Sequence, residues 1–133
     1  MSNFEKNLEQ AINNAKRLTD KILIDGKLIS AQTNNKIPVL NPSTGDNIGS
    51  APQCNKDDVN IAVESAHKAF QKWKKIPARE RGKMVAAGAK RLEERKSEIE
   101  TLLSLDTGNA LRTQAIPETG ASIELTNMFA GLS

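Results

Sequence analysis

One cysteine and one histidine limit the nucleophilic chemistry this chain can do by itself. Cys54 lies in the turn Pro52-Gln53-Cys54-Asn55, at the entrance of an expected helix whose N-terminus favours a thiolate. A nucleophile also needs an activating base and a site for the developing oxyanion, and His67 lies more than about three helical turns further along. Cys54 is therefore read as a non-catalytic thiol. His67, beside Val63 and Phe70, is either a general base or a helix-boundary histidine partly in water, and the second reading is favoured. With one cysteine and one histidine, neither an internal disulfide nor a Cys/His zinc cluster can form. From Lys72 to Lys83 run six bases (Lys72, Lys74, Lys75, Arg79, Arg81, Lys83) against one acid, Glu80. Such a run is a phosphate footprint or a solvated junction between helices, the junction being favoured. Glu93, Glu94, Arg95, Lys96, Glu98 and Glu100 alternate sign at helical spacing, as a solvated face does, and imply no catalytic carboxylate pair. No G-x-G-x-x-G, no P-loop and no nucleophile elbow occurs, so a complete dinucleotide site is not expected here.

The elements that carry these residues are legible in the spacing. Residues 1–20 form an N-terminal amphipathic arm, with Phe4, Leu8, Ala11, Ile12, Ala15 and Leu18 at helical intervals and Ser2 with Glu5 as a capping box. Its polar face mixes acids with bases, which favours docking on protein over lying on a membrane. Lys21-Ile22-Leu23-Ile24 and Lys27-Leu28-Ile29 flank Asp25-Gly26, the dipeptide of a type I′ hairpin turn. Ile37-Pro38-Val39-Leu40 and Asn47-Ile48-Gly49-Ser50-Ala51 flank the turn Asn41-Pro42-Ser43-Thr44-Gly45-Asp46, and Pro38 restricts its strand to an edge. Asn55 caps a helix running to about Lys75, with Asp57 and Asp58 complementing its dipole. Pro77 opens a second helix at N1, Ser97-Glu98-Ile99-Glu100 restarts helix with a capping box, and Gly108 ends it. Pro117 begins a last helix with Ala121, Leu125, Met128, Phe129 and Leu132 on one apolar face. Short β-hairpins followed by a layer of amphipathic helices make an α+β segment with more apolar faces than its strands can cover.

The chain has 133 residues, 38% of them hydrophobic and 26% charged, which fits one globular domain or part of a larger one and excludes a disordered or collagen-like chain. No stretch has the roughly 20 apolar residues of a membrane span, and charges interrupt the N-terminus where a secretory signal would be apolar. A cytoplasmic location is expected. Nineteen bases against 16 acids give a net charge of +3, below the density of a dedicated nucleic-acid binder, and aromatics at 3% supply no base-stacking platform.

Taken in order, Ile24-Asp25-Gly26-Lys27, Val39-Leu40-Asn41-Pro42-Ser43-Thr44-Gly45-Asp46, Asp57-Asp58-Val59 with Ala62-Val63, and Ala66-His67-Lys68-Ala69-Phe70 ahead of Trp73 resemble the beginning of the aldehyde dehydrogenase family. Pro77-Ala78-Arg79-Glu80-Arg81-Gly82, Leu92-Glu93-Glu94-Arg95, Leu105-Asp106-Thr107-Gly108 and Met128-Phe129-Ala130-Gly131-Leu132 extend the likeness, which covers residues 21–133. Two positions depart from the common pattern: Leu103 stands where many members carry Glu, and Asn109 where many carry Lys.

The resemblance implies an α/β fold in which residues 21–133 are an incomplete N-terminal portion of a cofactor-binding domain. It implies an NAD(P)-dependent oxidoreductase that, when complete, converts an aldehyde to a carboxylic acid through a cysteine thiohemiacetal, hydride transfer and thioester hydrolysis. The family's catalytic Cys and Glu and its glycine-rich cofactor turn lie downstream of the part matched here, so no catalytic or cofactor-binding residue is expected in this chain, and Cys54 does not match the nucleophile. A structural role is expected, inactive alone, with the remainder of the enzyme or a homologous subunit as partner and a homo-oligomer when complete. By the same resemblance, the Leu40 carbonyl and the Asp106 carboxylate would belong to a monovalent cation site. The alternative is a free-standing interaction module or a weak anion binder using Lys72 to Lys83.

Overall fold

The computed structural model describes residues 3–132, with side chains from Glu5 onward. The expected Ser2 cap lies outside the described residues. The elements run α1 (Asn3–Leu18), β1 (Lys21–Ile24), β2 (Lys27–Ser30), β3 (Lys36–Leu40), β4 (Asn47–Pro52), α2 (Lys56–Trp73), α3 (Ala78–Glu94), α4 (Lys96–Thr107), a π-helical turn (Leu111–Ala115) and α5 (Ile116–Gly131). They form two compact units, one of residues 13–75 and one of the chain up to Ile12 together with residues 76–133.

In the 13–75 unit the strands pair as two antiparallel hairpins, β1 with β2 and β3 with β4. Asp25 and Gly26 take positive φ angles of 51° and 71°, as a type I′ turn requires, and Ile24 sits opposite Lys27. Pro38 faces Ser50 in a two-stranded ribbon, where an edge position costs no ladder bond. A register shift between Val39 and Leu40 bulges β3 just before the Asn41 turn. Ile24 is the buried hydrophobic residue of this unit; Leu23, Leu28, Ile37, Leu40, Val59, Val63, Phe70 and Trp73 are exposed.

The other unit is built on α3 against α5, with α4 and the π-helical turn closing one end. Its buried residues, among those described, are small or slender: Ala11 on α1, Gly82 and Ala89 on α3, Thr101 on α4, Ala115, and Thr119, Ile123 and Ala130 on α5. Small side chains on both helices allow close approach. Thr119 Oγ1 is buried without a hydrogen-bond partner among the described residues.

Several boundaries differ from the sequence expectation. Pro77 is the N-cap of α3 (φ −54°, ψ 143°), one position earlier than N1, and α2 ends at Trp73 with Lys74 as its C-cap. The Ser97 capping box does not form, because α3 breaks for one residue only, Arg95 (φ −112°), and Ser97 already lies inside α4. Its hydroxyl accepts from Asn7 Nδ2 at 2.7 Å instead, and Glu98 pairs with Arg95. The expected apolar face of α5 is also not the buried one: Leu125, Met128, Phe129 and Leu132 are exposed. Gly108 ends α4 in the left-handed region (φ 75°) with its N–H on the Ser104 carbonyl, as a C-terminal glycine should.

Candidate functional site

Two aspartates of the 13–75 unit accept hydrogen bonds from residues distant in sequence. Asp20 turns the chain from α1 into β1 with a left-handed backbone (φ 60°), a conformation that aspartate tolerates better than most residues. Its N–H donates to the Ser50 carbonyl at 3.2 Å, and its carboxylate accepts from Ser50 Oγ at 2.6 Å and from Lys36 Nζ. The Lys36 hydrogen bond, then that of Ser50, holds the Asp20 carboxyl below its ordinary range, with the charges of Lys36 and Lys21 adding to the effect. Asp58, in the first turn of α2, is buried; its oxygens accept from the N–H of Gln32 and the N–H of Asn55, each at 3.0 Å. Asn55 Oδ1 accepts the Asp58 N–H at 2.8 Å, so the two close a capping box. The sequence carries a signal for that reciprocity, an Asn followed three residues later by an acid, so Asp58 does more than complement the helix dipole.

The turn after Leu40 closes on itself. Asn41 accepts from the backbone of Gly45 at 2.8 Å and, through Oδ1, from Ser43 at 2.9 Å, while its own N–H donates to the Asp46 carbonyl at 2.8 Å. Gly45 supplies the positive φ of 78° that the reversal needs. Leu40 is exposed at the end of β3 in the 13–75 unit. Asp106 is in the other unit, exposed in the last turn of α4, and accepts no hydrogen bond from any described residue. Beside it Thr107 Oγ1 donates to the Leu103 carbonyl at 2.7 Å and accepts the Asn109 N–H at 3.2 Å, while Ser104 Oγ donates to the Asn109 carbonyl at 2.7 Å.

The residues first singled out for chemistry stay apart. Cys54 is an exposed free thiol. His67 is exposed on α2, its Nε2 3.2 Å from Gln71 Nε2. In the basic run, Arg81 donates to the Ile76 carbonyl at 2.8 Å, Lys83 pairs with Glu80 at 2.7 Å, and Lys74 sits 5.6 Å from the centre of the Phe70 ring. Three of the six bases are thus engaged in local contacts. Among the described residues no cluster of three His, Cys, Asp or Glu side chains could hold a metal.

A sequence model of the aldehyde dehydrogenase family matches residues 28–133. The chain belongs to that family. It is 34% identical over 117 residues to phenylacetaldehyde dehydrogenase of Pseudomonas fluorescens, a match covering 86% of this chain and 23% of that protein. To the aldehyde dehydrogenase tropH of Talaromyces stipitatus it is 37% identical over 121 residues, covering 91% of this chain and 23% of that one. Among solved structures, betaine aldehyde dehydrogenase of Staphylococcus aureus in complex with NAD+ superposes with a TM-score of 0.86 at 27% identity, over 95% of this chain and 25% of that chain. The chain spans about a quarter of the length of these relatives and corresponds to an N-terminal segment of the aldehyde dehydrogenase fold.

The residues present do not fit a dinucleotide. A pyrophosphate needs an open helix N-terminus behind a strand, with glycines that let the backbone approach. The strand-to-helix passage from β4 to α2 has none: the Asp58 N–H is taken by Asn55 Oδ1, and Asp57 and Asp58 place negative charge where phosphate would sit.

Proposed function

We propose that this chain is a structural component of an NAD(P)-dependent aldehyde dehydrogenase, supporting the cofactor domain of an enzyme whose nucleophile, general base and nucleotide cradle lie in the remaining three-quarters. The complete enzyme oxidises an aldehyde to a carboxylic acid with NAD+ or NADP+, in the cytoplasm and as a homo-oligomer. Its partners are the aldehyde substrate and the remainder of the enzyme or a homologous subunit. Neither nucleic acid nor a membrane is a partner; among the described residues no helix is long and apolar enough to cross a bilayer. The observation that carries the reading is the match over residues 28–133, combined with helices whose bulky apolar residues face outward: Val63 on α2 is 63% exposed and Leu132 beyond α5 74%. Faces of this kind belong against further structure.

In that complete enzyme the Leu40 carbonyl and the Asp106 carboxylate are proposed as ligands of a monovalent cation. Asp106 supports this from its own surroundings: a carboxylate in the last turn of a helix meets the negative end of the macrodipole, with no basic residue in that turn of α4, and a cation relieves both. The purified chain mixed with aldehydes and NAD+ or NADP+ will produce no reduced nucleotide, because it lacks an activated nucleophile and a base for water. Turnover abolished by Cys54→Ala would overturn the reading. The chain will also bind hydrophobic dye strongly, with a helical far-ultraviolet spectrum and a weak near-ultraviolet signal at Trp73. A dye-silent monomer with a sharp melt would favour the free-standing module.

A further inference from the structure

Hydrophobic burial is nearly absent from the 13–75 unit, where Ile24 is the buried apolar residue. Its elements nevertheless meet at fixed points, and two of those points are carboxylates. Asp20 receives Ser50 from β4 and Lys36 from β3, residues 30 and 16 positions away in sequence. Asp58 receives the Gln32 N–H, 26 positions away, just after β2. The β1–β2 hairpin is thereby fastened at its entrance to the β3–β4 hairpin and at its exit to α2.

We propose that Asp20 and Asp58 are the two joints that hold the hairpins and α2 of this unit together, and that the Asp20 joint releases in acid. The physical case is that each carboxylate bridges elements distant in sequence, and that hydrogen bonds to a charged acceptor are roughly twice as strong as neutral ones. Loss of either acceptor removes the partner of donors from distant elements: the Gln32 and Asn55 N–H groups at Asp58, and the part-buried Ser50 hydroxyl and the exposed Lys36 ammonium, which water can then solvate, at Asp20. The groups acting on the Asp20 charge are Lys36 and Ser50 from the second hairpin and Lys21 from β1. All three favour the ionised form. Because the folded carboxyl titrates below its ordinary value, its contribution is complete above that value and is lost as pH falls through the lowered one.

Residue-resolved amide exchange on the full 133-residue chain tests the joints. Asp58→Ala will speed exchange at Gln32 and Asn55 and also along 21–30, and Asp20→Ala will speed it along 21–24 and 47–52, by roughly tenfold in each case. Residues 78–131 will keep their wild-type rates and serve as the internal reference. Confinement of the faster exchange to the amides beside each substitution would show that these carboxylates are local caps, and would overturn the proposal. So would hairpins already unprotected in the wild type. Should Asp20→Ala erase all protection in 13–75, the single-bond variants Lys36→Met and Ser50→Ala decide: partial loosening of both hairpins supports a joint, and none refutes it. In an acid titration, Lys36 and Ser50 resonances will shift with one common midpoint below the ordinary carboxylate range, and that midpoint will rise in Lys36→Met. Independent midpoints, or one unmoved by Lys36→Met, would overturn the acid release.

Discussion

The two units of this chain hold themselves together by opposite means. Residues 76–132 bury small side chains between α3 and α5, with Gly82 and Ala89 on one helix and Thr119, Ile123 and Ala130 on the other, and leave the long apolar residues outside. Residues 13–75 bury almost nothing apolar and depend on hairpin turns, a capping box and carboxylates that reach across the sequence. Close helix packing responds to volume; a polar scaffold responds to single hydrogen bonds and to backbone angles. In both units many bulky apolar residues are nevertheless exposed, in a chain that spans about a quarter of the length of its relatives.

The sharpest way to break that contrast is through volume. Ile123 is buried at 4% exposure on α5, so Ile123→Ala should cost about 2 to 5 kcal/mol from lost transfer energy and the cavity left behind. Chemical denaturation followed through the helical signal, with amide protection across α3 and α5, will register the loss. Protection in 21–52 should not move. Equal loss in both units would mean that the contrast is false and that they unfold as one.

A smaller effect is expected from the backbone of the other unit. Gly26→Val places a β-branched residue at a φ of 71°, while a Cβ built there meets nothing within 4 Å. The cost is therefore conformational and not a clash, about 1 to 3 kcal/mol. Thermal melting should fall, with exchange quickening first in β1 and β2. An unchanged melt would show that the turn adds nothing to the stability of its unit.

How much of this was legible in the sequence follows the same division. Asp25-Gly26, Gly108, the Asn55 cap and the edge strand at Pro38 were readable because each depends on the local chemistry of one or two residues. The buried face of α5 was not. Leu125, Met128 and Phe129 form the stronger apolar stripe, but packing against α3 selects the slender side chains that let the helices approach, while the stripe stays exposed. The π-helical turn at 111–115 also escaped: Pro117 cannot donate to the Thr113 carbonyl and crowds it, and the wider turn, with the Ala115 N–H on the Ala110 carbonyl at 3.2 Å, accommodates the ring. The long-range carboxylate contacts of Asp20 and Asp58 were invisible for a different reason, since no spacing rule links residue 20 to 50 or 32 to 58. The family was readable from motif order, because the motifs run in sequence through most of the chain.

Thr119→Val should act in the opposite direction to the first two substitutions. The Thr119 hydroxyl is buried without a partner among the described residues, and valine keeps the shape while removing the orphaned group, so the α3–α5 unit should gain about 1 kcal/mol. A rise in denaturation midpoint with unchanged slope would confirm this. A fall would mean that the hydroxyl is hydrogen-bonded in solution.

The smallest effect separates carboxylates that bridge elements from those that only decorate one. Glu64 and Lys68 pair at 2.7 Å one turn apart on α2, with side chains 67% and 72% exposed. Their mutual hydrogen bond and charges lower the Glu64 carboxyl and raise the Lys68 ammonium from their ordinary values, so both shifts have the same cause. Whatever Glu64 contributes is present above the ordinary carboxylate value and lost as pH falls through its lowered one, as for Asp20. Yet water screens this pair on all sides, and breaking it separates no element from another. Glu64→Gln should therefore leave the melting midpoint and the exchange rates of 21–52 unchanged, and added salt should not distinguish variant from wild type. A loss comparable to that of Asp20→Ala would mean that any exposed ion pair can stabilise this unit, and the distinction between bridging and local carboxylates would fall.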